Sequence, residues 1–132
     1  MSGKRRIIDN FSRAKFTIIN GIPIDKEIEN FIFKLNGRRN IITTNSCAGH
    51  SKEEKHADHN YNPYLSFLVN DVGWRIFWSD VLPEISSKIP VIVWVMNENA
   101  CSILIRAEEF ENKEAFWHIV KPTFLKHFNK SL

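Results

Sequence analysis

Cys47 and His50 are separated by two residues, and His56 and His59 repeat that spacing, so four candidate metal donors fall within 13 residues. A thiolate and neutral imidazoles are donors that tetrahedral zinc accepts, which makes Cys47, His50, His56 and His59 a candidate zinc set. Glu54 and Asp58 lie among the histidines, as they do in ordinary solvated loops. The same cysteine and first histidine close an octet, Thr43-Thr44-Asn45-Ser46-Cys47-Ala48-Gly49-His50, that places a thiol, an imidazole, hydroxyls and a glycine after an apolar run. A thiol beside an imidazole can act as a nucleophile, but the octet matches no common cysteine-protease signature. The other chemistry open to it is binding. Thr44 and Ser46 can donate hydrogen bonds, Gly49 lets the backbone approach a ligand, and successive amides round a tight turn can cradle an anion.

The leading expectation is therefore a pocket for a small anionic or nucleotide-like ligand, built on Thr44, Ser46, Cys47, Gly49 and His50. Tyr61 and Tyr64, which flank the following polar stretch, are candidate contacts, with Arg75, Arg38 or Arg39 available to balance negative charge. Four tryptophans and ten phenylalanines offer rings on which bases can stack, although most must fill a core. The acidic run Glu108, Glu109, Glu111 and Glu114 fits the start of a helix, where carboxylates are favoured.

The elements that must position the octet follow from periodicity. Ile28, Phe31, Ile32 and Leu35 recur at steps of three and four, predicting a helix over residues 25–36 that Asp25 caps and Gly37 closes. Residues 40–44 are β-branched and predict a short buried strand, and the polar residues 46–62 predict a long loop. Residues 64–69 resume strand character. Turn chemistry at 70–73, followed by alternation of Trp74, Ile76 and Trp78 with Arg75, Phe77 and Ser79, predicts a hairpin. A short helix is expected over 81–87 and a second hairpin over 91–96 and 102–105. A terminal helix over 113–129 is expected to break or kink at Pro122. Residues 5–16 carry a weak helical stripe.

These elements predict one α+β domain with a mixed or mostly antiparallel sheet and flanking helices. At 132 residues the chain is long enough for a core that needs neither disulfide nor metal. No window approaches the roughly 20 apolar residues a membrane span needs, no secretory signal stands out, and the cytoplasm is the expected location. Cys47 and Cys101 are then expected to be reduced. The formal charge is +3, and the first 40 residues hold nine Lys or Arg against four Asp or Glu. A basic segment of this kind opens an alternative as a nucleic-acid-binding module, with RNA a candidate partner.

Residues 21–50 also resemble the wybutosine-synthesis tRNA methyltransferases. That family carries a Thr-Thr-Ser-Ser-Cys-Ser-Gly-Arg run where this chain has Thr43 to His50, preceded by a similar helix and followed by a tryptophan-containing strand, here Trp74 to Ser79. The resemblance implies an α/β domain that binds S-adenosylmethionine and methylates a modified guanosine in tRNA. His50 replaces the family's arginine, so a forked permanent cation gives way to a titratable ring.

Overall fold

The computed structural model describes residues 24–51, 53, 61–97 and 101–132. The stripe at 5–16, the basic residues before position 24, and His56 and His59 lie outside the described residues.

A 3-10 turn, Lys26–Ile28, leads into helix α1 (Glu29–Asn36), which buries Phe31, Ile32 and Leu35 as their spacing predicts. Gly37 ends it, donating its N–H to Phe33 O at 3.1 Å. Strands β1 (Ile41–Cys47) and β2 (Tyr64–Val69) follow, then helix α2 (Asp71–Ile76), a π-helical turn Phe77–Val81, and helix α3 (Leu82–Ser86). Strands β3 (Val91–Asn97) and β4 (Ser102–Ala107) come next, and a 3-10 turn Phe110–Asn112 precedes helix α4 (Lys113–His127). The four strands form one sheet in the order β1-β2-β4-β3, with every neighbouring pair antiparallel. The architecture is α+β, and β3 with β4 is the second hairpin expected from the sequence.

Alternation along the strands decides which side chains meet the helices. Leu65, Phe67 and Val69 of β2 and Ile103, Ile105 and Ala107 of β4 point to one face and are fully buried. Against them pack Phe31, Ile32 and Leu35 of α1, Phe77, Val81 and Ile85 of the 71–86 helical run, and Phe116, Val120 and Phe124 of α4. The Phe67 ring lies 5.2 Å from Phe77 and 5.4 Å from Phe124, so the sheet meets two of its helical elements at aromatic contacts.

The first hairpin expected from the sequence is overturned: Trp74 to Ser79 is helical, not a strand, and β2 pairs with β1 and β4. The turn chemistry at Asn70 is a helix cap. Its Oδ1 accepts the Gly73 N–H at 2.9 Å, and Asp71 follows in the first turn where a carboxylate suits the helix dipole. Gly73, Phe77, Val81 and Ile85 recur every four residues and are the buried positions, a periodicity hidden by the accidental alternation of Trp74, Ile76 and Trp78. Gly73 is required sterically, because a Cβ there would lie 2.2 Å from Asn40 O and 2.9 Å from Val69 Cβ. Trp74 and Trp78 pack on each other at 5.5 Å along this helix. At the C-terminus, α4 continues through Pro122 to His127, so no break occurs there.

Strand β1 runs past its expected end at Thr44 as far as Cys47, and a bulge explains how. The Thr43 N–H donates to Asn36 Oδ1 at 2.9 Å, while Asn36 Nδ2 donates to Thr43 Oγ1 at 2.8 Å, both groups being buried. Beyond this clamp the register shifts: Thr43 pairs with Phe67, but Asn45 pairs with Ser66 and Cys47 with Tyr64. The extra residue reverses the faces, so Thr43 shares the helix side with Phe67 whereas Cys47 shares the opposite side with Tyr64.

Candidate metal centre

The end of β1 meets the entrance to α1 at Asp25. This residue occupies the N-cap position of the Lys26–Ile28 turn with extended backbone, yet its side chain makes no capping hydrogen bond. Its Oδ2 instead accepts the Ala48 N–H at 2.9 Å and lies 3.0 Å from His50 Nε2. The expected cap is thus a tertiary contact, formed because α1 packs on β1.

The rest of the octet is held as firmly. Ala48 is buried, and its carbonyl accepts the Trp117 indole N–H at 2.8 Å. Gly49 turns the chain with φ +94, and a Cβ there would sit 3.1 Å from Pro63 Cδ and 3.2 Å from Lys113 Cδ. His50 and Tyr61 then exchange backbone hydrogen bonds of 2.9 and 2.7 Å, forming an isolated antiparallel bridge. His50 and Asp25 stay 14% and 29% exposed, so a small solute can reach them.

One donor atom each from Asp25, Cys47 and His50 lies within 4.8 Å of the others. A tetrahedral zinc ion with bonds of about 2.0 to 2.3 Å holds its donors about 3.5 Å apart, so small side-chain rotations complete the set. The Asp25 and His50 donors are already closer than that. Burial pushes the Tyr64 hydroxyl above its ordinary 10.0, and the Cys47 and Asp25 charges, where both groups are ionised, push it further. Such surroundings attract a cation and repel a bare anion.

Of the residues expected from the sequence, the structure brings Cys47, Gly49, His50 and Tyr64 together. Thr44 and Ser46 play other parts. The Thr44 hydroxyl donates to Ser66 Oγ at 3.0 Å across the strands, and the Ser46 N–H donates to Asn45 Oδ1 at 2.9 Å. Arg75 is exposed on α2, a helix that begins beside the Ile41–Val69 end of the strand pair, away from Cys47 and Tyr64. Arg38 and Arg39 are also at that end, where Arg38 Nη1 donates to Phe128 O and the Arg39 N–H to Lys130 O. Tyr61 is 40% exposed next to His50. Cys47 and Cys101 form no disulfide with each other. Asp25, Trp117 and Lys113 were not legible as site residues, since each reaches the octet only through tertiary packing.

Among the described residues, no helix is long and apolar enough to cross a membrane. Comparisons with protein-family models, curated proteins and solved structures find no match to this chain.

Proposed function

We propose that the protein is a metal-binding domain that holds a divalent transition-metal ion, zinc above all, through Asp25, Cys47 and His50. The observation that carries this reading is the convergence of a carboxylate, a thiol and an imidazole from two chain segments within 4.8 Å. Charge supports it as well. A thiolate and a carboxylate beside a neutral ring bring two negative charges that a divalent cation balances, whereas an anion placed on the bare octet meets the Asp25 carboxylate. Among the described residues three donors converge, and three protein donors with one exchangeable position are the composition of zinc sites that act on substrates. A small anionic ligand at the octet is accordingly read as a partner of the ion.

Protein prepared without a histidine tag is expected to take up stoichiometric zinc by elemental analysis. Cobalt(II) loading is expected to give a thiolate charge-transfer band in the near ultraviolet that Cys47→Ser removes. Asp25→Asn and His50→Ala each lose a donor, so they should weaken zinc by more than the roughly 10- to 100-fold typical of changes around the donors. The His56→Ala, His59→Ala double variant should retain the ion. Folded protein that takes up no zinc overturns the reading, and loss confined to the double histidine variant moves the site into the loop.

A further inference from the structure

Next to the Gly49 turn, which the Lys113 stem approaches, a groove of about 460 Å³ runs between the Lys26–Ile28 turn and α4. Its size falls within the roughly 300 to 1,000 Å³ of small-molecule sites. Ile28, Trp117 and Pro122 give it an apolar side, and Lys113, Lys121, Glu27, Glu114 and His118 line the remainder. Lys113 and Lys121 stand eight positions apart on α4, about 12 Å along the axis, yet both ammonium groups turn to the same residue. Lys113 Nζ is 2.9 Å from Glu27 Oε2, and Lys121 Nζ donates to Glu27 O at 3.3 Å.

The charges of this groove are unequally screened. Lys113 is 21% exposed and Lys121 half-buried, while Glu27 is 51% exposed and Glu114 lies open to solvent. The formal charges of Lys113, Lys121, Glu27 and Glu114 cancel, but the carboxylates are the more exposed and so the more damped by solvent. Outward rotation of the Glu27 side chain would free the Lys113 ammonium, while Lys121 Nζ rests on the Glu27 carbonyl oxygen, a neutral acceptor that leaves its charge for an incoming acid.

We propose that the groove between the Lys26–Ile28 turn and α4 binds a small organic anion, its head group between Lys113 and Lys121 and its apolar body along Ile28, Trp117 and Pro122. This site goes beyond the metal centre and stands without it: the donors Asp25, Cys47 and His50 do not line the groove.

Titration calorimetry with 3-phenylpropionate and phenyl phosphate tests the site and separates a carboxylate from a phosphate head group. At least one of them is expected to bind, and 3-phenylpropanol and 3-phenylpropylamine, with the same body but no negative charge, at least about tenfold more weakly. Lys121→Glu is expected to abolish the binding. Lys88→Glu, on the exposed end of the helical run, makes the same change in net charge and should preserve it. Cys47→Ser should bind the probe unchanged, so failure of the metal reading and failure of this one are told apart. Equal binding of the amine, indifference to Lys121→Glu, or no binding of either anion at millimolar concentration overturns the proposal.

Discussion

Asp25 shows how one residue can satisfy a local rule in sequence and a different one in the fold. Its position just before a helical stripe is that of a cap, but its carboxylate reaches 23 positions along the chain to the Ala48 N–H and 25 to the His50 ring. Cys47 and His50 were legible as a pair because they are neighbours in sequence. Asp25 was not, because only the packing of α1 against β1 brings it to them. Gly49 was legible for a partial reason: its freedom to approach a ligand was noted, but its positive φ and its contacts with Pro63 and Lys113 give it a structural necessity. Gly49→Ala forces a side chain into that conformation, which costs about 1 to 2 kcal/mol. Urea unfolding should show the loss, and the zinc binding proposed for Asp25, Cys47 and His50 should weaken with it because Cys47 and His50 flank the turn. An unchanged midpoint would mean that the turn relaxes at no cost.

At the scale of elements, the 71–86 helical run was the segment least legible in sequence. Asn70-Asp71 suits a turn or a cap equally, and Trp74, Ile76 and Trp78 obey a period of two while Gly73, Phe77, Val81 and Ile85 obey a period near four. The structure resolves the ambiguity at Gly73, where only a residue without Cβ lets the helix approach Asn40 and Val69. Gly73→Ala therefore overpacks the joint, and destabilisation of about 1 to 3 kcal/mol is expected from denaturant titration. It should exceed that of Ser79→Ala on the exposed side of the same helical run.

The other end of this run is tied to α4 through Glu84. Its Oε1 lies 2.9 Å from Lys126 Nζ and 3.2 Å from His127 Nε2, and its Oε2 accepts from the Thr123 hydroxyl at 3.0 Å. The Lys126 hydrogen bond, then those of His127 and Thr123, lower the carboxyl pKa from 4.5 to about 2. A depressed folded-state value means that the charged form stabilises the fold. Its contribution is complete above 4.5, shrinks as pH falls below that value, and is gone below about 2. Thermal melts should accordingly show the wild type losing more stability across that acid window than Glu84→Gln. Parallel curves for the two proteins would remove Glu84 from the acid response.

For the molecule as a whole, the α+β class was legible because helical and strand periods alternate along much of the chain, and the β3–β4 hairpin because its strands are contiguous and apolar. The strand order was not: β2 lies beside β4 although the 71–86 run and β3 intervene, and no local pattern encodes that choice. Burial does. Phe67 of β2 and Ile103 and Ile105 of β4 complete one layer only when adjacent, and Phe124 of α4 then joins the parts. Its ring meets Phe31 of α1 at 6.5 Å, Phe67 at 5.4 Å, Phe77 at 6.1 Å and Phe128 at 6.0 Å. Because one fully buried ring links the helices and the sheet, Phe124→Ala should cost about 3 to 5 kcal/mol by leaving a cavity at their junction. The loss should be shared. Trp74 and Trp78 report on the helical run, Trp94 on β3 and Trp117 on α4, so tryptophan fluorescence and far-ultraviolet circular dichroism should shift to lower denaturant together. Fluorescence that changes well before the helical signal in this variant would show that the layers unfold separately, and that Phe124 fills space without coupling them.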